Sequence, residues 1–144
     1  MIRSLESIFL FFSLVLFACS GNKKSVPVTL VIPHENIATH GENRLPIRIK
    51  VSTPYHFNTD FPSKVSIIDD GGLEFPKKQW GSSIFTKNDN GAIAVTNFKA
   101  PKNMSGTRIV QVSVDCSLCR ADECRVFKGL KAKIPVKIKK MPGK

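Results

Sequence analysis

Downstream of Gly21, no stretch of ten or more residues places apolar side chains at helical spacing, whereas strict apolar–polar alternation recurs between Pro, Gly and Asn punctuation. Successive side chains of a strand point to opposite faces, so alternation marks one buried face per strand and requires a second sheet, or a closed barrel, to cover it. The alternating sets are Val28, Leu30 and Ile32; Leu45, Ile47, Ile49 and Val51; and Val65 with Ile67. Further along come Ile93, Val95 and Phe98, then Val110, Val112 and Val114 opposite Ile109 and Gln111, and a last strand from Leu130 to Ile138. Asp69-Asp70-Gly71-Gly72, Lys87–Gly91 and Asn103–Gly106 are turn signals, and Leu73–Pro76 reads as a short edge piece because proline cannot donate to a ladder. Roughly seven short strands with turns at these intervals predict an all-β, immunoglobulin-like β-sandwich over residues 26–139, with a closed barrel as the competing architecture.

The first eighteen residues are of another kind. Arg3 precedes an almost unbroken apolar run from Ile8 to Ala18, followed by Cys19 and the polar Ser20, Gly21, Asn22, Lys23 and Lys24. Eleven residues fall short of the roughly 20 needed to cross a bilayer, so the run reads as the core of a cleaved signal peptide. Leu16-Phe17-Ala18-Cys19 resembles the lipobox of bacterial lipoproteins, in which the cysteine receives diacylglycerol and becomes the mature N-terminus. On that reading residues 1–18 are the leader, 19–25 the lipidated cysteine and a flexible tether, and 140–144 a basic tail. The alternative is an ordinary secretory signal cleaved after Ala18, with Cys19 left as a thiol. The resemblance implies a cell-envelope protein anchored to a membrane. Ser20 after the cysteine favours the outer membrane, facing the periplasm.

Twenty-two basic and eleven acidic residues give a net charge of +11. Export turns attention from nucleic acid to anionic lipid or acidic protein surfaces as partners. Seven lysines and no acid lie between Lys128 and Lys144, interleaved with Ala132, Ile134, Val136 and Ile138. That alternation reads first as the solvated outer face of a strand, and second as a membrane-attracting surface.

With Cys19 assigned to lipid, Cys116, Cys119 and Cys124 remain, all within nine residues. Such clustering marks a local site, not staples spread through a scaffold. The segment reads as a hairpin tip, and residues opposed across a hairpin are about 4.5–5.5 Å apart at Cα, within disulfide reach. Cys119 and Cys124 are spaced to pair in this way. On the loop-entropy model a six-residue loop contributes about 2.2 kcal/mol, and the nine-residue loop from Cys116 to Cys124 about 2.6 kcal/mol. Both values are low for a staple, so exchange chemistry competes with stabilisation as the bridge's purpose. Arg120 and Arg125 favour thiolate, while Asp115, Asp122 and Glu123 oppose it.

The strand, cysteine, four residues, second cysteine and returning strand resemble the N-terminal immunoglobulin-like domain of thiol:disulfide interchange proteins of the DsbD type, the disulfide bond corrector domains. Pro54-Tyr55-His56-Phe57-Asn58-Thr59-Asp60-Phe61-Pro62 is similar to the aromatic-His-x-Asn-x-x-aromatic-Pro segment early in such domains, and the likeness spans about Val26 to Ile138. The resemblance implies a redox pair, Cys119 and Cys124, exchanging disulfides with a periplasmic partner protein and shielded by a cap loop. Cys116 has no counterpart in that pattern. It is left to compete for Cys124, to pair with Cys119, or to stay free. The family's membrane-embedded reducing domain is not encoded in this chain, so electrons would come from a separate protein.

Two other functions are consistent with the same residues. One is a non-enzymatic binding module whose disulfide only closes a hairpin. The other is a zinc or copper site built from Cys116, Cys119, Cys124 and His56, should the His56 segment fold over the hairpin. His34, His40 and His56 otherwise read as surface residues, and Trp80 as a core or rim residue. No bound cofactor, hydrolytic triad, phosphate loop or small-molecule substrate is indicated.

Overall fold

A computed structural model describes residues 25–33 and 36–140. The leader, Cys19, most of the tether, His34 and the last four residues lie outside them. The strands are β1 (Val28–Val31), β2 (Asn36–Ala38), β3 (Gly41–Val51), β4 (His56–Phe57), β5 (Lys64–Asp69), β6 (Gln79–Trp80), β7 (Phe85–Asn88), β8 (Gly91–Ala100), β9 (Gly106–Arg120) and β10 (Glu123–Ile138). One sheet has the order β1-β3-β8-β7. The other runs β2-β10-β9-β5-β6, with β4 added to β9. These orders are the A-B-E-D and A′-G-F-C-C′ arrangements of an immunoglobulin-like sandwich. β2 is parallel to β10, and the other pairings are antiparallel.

The alternation predicts the buried faces well in four strands. Leu45, Ile47, Ile49 and Val51 of β3 face Val110, Val112 and Val114 of β9, Val65 and Ile67 of β5, and Ala132, Ile134, Val136 and Ile138 of β10 across the intersheet space. Each large aliphatic side chain removed from water contributes about 1.5–3 kcal/mol to holding the layers together. Lys131, Lys133 and Lys137 take the intervening outer positions of β10, exposed to solvent.

In β8 the phase differs from expectation. Ala92, Ala94, Thr96 and Phe98 are buried, whereas Ile93 and Val95 lie half-buried on the other face. The reason is cross-strand complementarity. Ile49 stands beside Ala92, Ile47 beside Ala94 and Leu45 beside Thr96, so β8 supplies the small partner to each large side chain of β3. Gly91 belongs to the same fit, since a Cβ there would lie 2.0 Å from the carbonyl oxygen of Ile49. Ile32 also departs from its set, because β1 ends at Val31 and leaves it 50% exposed.

The Leu73–Pro76 edge piece is present, with Glu74 bridged to Lys99 of β8. At one end of the sandwich the Ser52 N–H donates to the carbonyl of Pro27 (2.8 Å), and the Tyr55 N–H to the carbonyl of Ser52 (3.0 Å). The first extends the β1–β3 pairing by one step, and the second turns the chain from β3 into β4, at the end where the β9–β10 hairpin also turns.

Candidate functional site

β9 and β10 pair from Gly106–Ile138 up to Arg120–Glu123, leaving Ala121 and Asp122 as a two-residue loop. Ala121 takes φ +40°, the positive value that such loops require at their first position. The pair closing a two-residue loop is hydrogen-bonded, and pairs then alternate. Arg120–Glu123 is therefore a bonded pair and Cys119–Cys124 a non-bonded one, the kind that brings side chains closest. These cysteines form a disulfide, with Cα atoms 4.0 Å apart. Cys119 is half-buried and Cys124 exposed.

β4 lies along the other edge of β9, with His56 in register with Cys119 and Phe57 with Leu118. The Asn58 N–H donates to the carbonyl of Ser117 (2.9 Å). Residues in register share a face, so His56, Cys119 and Cys124 form one row across three strands. Phe57 points the opposite way, into the core, where it stacks on Phe85 at 5.6 Å between centroids. The two sequence patches with the likeness described above, about sixty residues apart, are thus side by side.

A charged cluster centres on the same hairpin. Arg120 donates through Nε (3.1 Å) and Nη2 (3.0 Å) to one oxygen of Glu123, and Arg125 donates through Nε to the other. Both guanidinium groups lie over the Tyr55 ring, at 5.0 and 5.7 Å. Arg125 foremost, and Arg120 with it, hold the Glu123 carboxyl below its ordinary range. One carboxylate serves two guanidiniums, and with Asp122 in the loop between the strands the two cations and two carboxylates of the tip balance. Arg120 and Arg125 alternate with the cysteines along their strands and occupy the opposite face from them.

Cys116 is elsewhere. It is fully buried, in register with Phe127, and its sulfur is a free thiol. Three positions separate it from Cys119, an odd number, so the two point to opposite faces. Burial first, and the Asp115 carboxylate second, push the Cys116 thiol up to about 11. At neutral pH it is a protonated core side chain. Of the alternatives open from the sequence, the structure has Cys116 remaining free.

Two residues of β10, Lys128 and Gly129, stand opposite the single Asp115, because the register slips between Phe127 and Leu130. This is a bulge, with Gly129 at φ +67° and its N–H donating to Asp115 Oδ1 at 2.8 Å. Lys64 adds an ion pair to Asp115 at 3.3 Å. The break in alternation at Phe127-Lys-Gly-Leu130 is the sequence signal for this bulge. Tyr55 as a seat for both arginines has no comparable signal.

The metal reading is not supported. Cys119 and Cys124 are bonded to each other, Cys116 faces the core, and the described residues contain no cluster of three or more His, Cys, Asp or Glu able to hold a metal ion. His40 instead bonds through Nε2 to the Met104 carbonyl oxygen at 2.9 Å. Fold and site together define an all-β sandwich with a disulfide at the tip of its F–G hairpin. No protein-family model matches the chain, and no curated protein is significantly similar to it.

Proposed function

We propose that this domain is a lipid-anchored thiol–disulfide exchange module of the cell envelope, with Cys119 and Cys124 as the cycling pair. The observation that carries this is a disulfide with one exposed member, Cys124, on a hairpin whose strands are paired on both sides of it. A partner thiolate reaches Cys124 Sγ from solvent. The new S–S bond forms at Cys124 while the Cys119–Cys124 bond breaks, and Cys119 leaves with the electron pair as thiolate. His56, in register with Cys119, is placed to supply a proton to that thiolate. A second partner thiol then resolves the mixed disulfide, leaving the pair reduced. Lipidation of Cys19 would confine these encounters to a membrane surface.

One observation favours the binding-module alternative, in which the disulfide only closes the hairpin. Ala121 holds a positive φ that costs a non-glycine residue about 1 kcal/mol, and a bridge of about 2.2 kcal/mol would offset it. Replacing each cysteine singly by serine in cells separates the two. Under the exchange reading, Cys119→Ser leaves an exposed Cys124 that accumulates as a mixed disulfide with a partner protein. Absence of any adduct from either variant, with the wild-type pair fully oxidised in cells both with and without their reducing systems, would overturn the exchange reading.

A further inference from the structure

The alternation of hairpin hydrogen bonds has a second consequence at the outer edge of β10. The Ser117 carbonyl is engaged by Asn58 on the β4 side, which makes Ser117–Val126 a non-bonded pair of the hairpin, in step with Cys119–Cys124. The backbone N–H and C=O groups of Cys124 and Val126 therefore point away from β9. Among the described residues, β10 has no other strand partner until β2 reaches Val136, and the Pro135 carbonyl accepts from Asn36 Nδ2 (3.4 Å), so this edge is without a paired strand from Cys124 to Ile134. Both side chains are also exposed, Val126 to 51%.

The open edge carries one sign of charge. Between Cys124 and Pro135 stand Arg125, Lys128, Lys131 and Lys133, and no acid. Arg125 is shared with Glu123, and Lys128 lies in the field of Asp115. Lys131 and Lys133 make no ion pair among the described residues. Lysines and a bulge on an edge strand keep a second copy of the same edge away, because like charges meet and the ladder is bent. The same features attract a strand of opposite charge.

We infer that the β10 edge at Cys124–Phe127 is a strand-docking site for an extended, acidic segment of the thiol-bearing partner. Docking would extend the six-stranded sheet by one strand. It uses the free backbone groups of Cys124 and Val126 for affinity, places a cysteine of the segment across from Cys124, and sets acidic side chains against the basic edge. The thiol-bearing part of this statement rests on the exchange reading; the strand-docking part does not.

Two experiments test the parts separately. In the first, oxidised wild-type protein is titrated with a short acidic peptide carrying serine in place of cysteine, so that no exchange can occur, while backbone amides are followed by NMR. The Cys124 and Val126 amides should shift and become protected from hydrogen exchange. A peptide N-methylated at alternate amides, which cannot pair as a strand, should leave them unchanged. In the second, reduced acidic and basic cysteine peptides are compared, with rates expressed per thiolate and referred to a neutral model disulfide. The acidic peptide should form its mixed disulfide about tenfold faster or more at low salt, and the advantage should shrink near 1 M salt, where the screening length is about 3 Å. Lys131→Glu with Lys133→Glu should reverse the preference. Equal normalised rates, or protection induced equally by the N-methylated peptide, would overturn the inference and leave the exchange reading standing. Binding without any exchange would do the opposite. Self-association of the free protein through this edge, seen by sedimentation, would also count against an acidic partner segment.

Discussion

Asp115 accepts the backbone N–H of Gly129 at 2.8 Å from across the hairpin, and so fixes the bulge that separates the core half of β10 from its disulfide-bearing tip. That hydrogen bond is the largest influence holding the Asp115 carboxyl below its ordinary value, with Lys64 assisting and burial opposing. A carboxylate whose pKa is depressed by folding contributes stability that is complete above its unfolded value, near 4, and is lost as pH falls through the folded value. Asp115→Asn should therefore flatten the dependence of unfolding free energy on pH below about 4, relative to wild type. Asp115→Ala should cost about 1–3 kcal/mol at neutral pH, measured by urea denaturation, because the Gly129 N–H loses its acceptor.

Cys116 should behave as a core residue and not as a thiol reagent. Iodoacetamide should leave it unmodified in the native oxidised protein and alkylate it on unfolding. Its pKa is raised from 9.0 to about 11 in the fold, so its contribution to stability is constant below 9 and is lost as pH rises towards 11. Cys116→Ala should remove that alkaline loss without changing the rate at which small thiols reduce the Cys119–Cys124 bridge.

Thr96 is 2% exposed between the sheets, and its hydroxyl has no hydrogen-bond partner among the described residues. Replacing it by the isosteric valine removes an unsatisfied buried polar group and should raise the unfolding free energy by about 1 kcal/mol or more. Thermal and urea unfolding of Thr96→Val would show this directly, and a destabilised variant would refute it.

His56 shares a row with Cys119, so its imidazole can donate to a Cys119 thiolate once the bridge is reduced. His56→Gln should slow reduction of the Cys119–Cys124 bridge by a small thiol several-fold, measured by quenched alkylation at fixed pH. An unchanged rate would leave His56 without a part in opening the bridge.

The alternation of apolar residues was sufficient to read the sandwich, its intersheet face in β3, β5, β9 and β10, and the outward lysines of β10. It misplaced β8 because hydrophobicity favours the larger Ile93 and Val95, whereas packing against β3 requires the smaller Ala92 and Ala94. Hairpin spacing allowed the Cys119–Cys124 pair but left Cys116 as a competitor, which the structure removes. That Cys116 faces away follows from strand parity, once the hairpin continues unbroken to Arg120. The meeting of His56 with Cys119, and of Tyr55 with two arginines, depends on β4 joining β9 from about sixty residues away. Neither local propensity nor periodicity encodes such a contact.

The bond from Ser52 to Pro27 has a consequence for how the protein would be held in the envelope. It fixes the start of β1 at the disulfide-bearing end of the sandwich, with the chain running from there away towards Val31. If Cys19 carries the lipid, the seven residues from Ser20 to Val26 span at most about 25 Å. The leash would then be attached beside the disulfide-bearing tip. The opposite pole of the domain would hang outward, and a partner would have to approach the cysteines edge-on, within a thin layer at the bilayer surface.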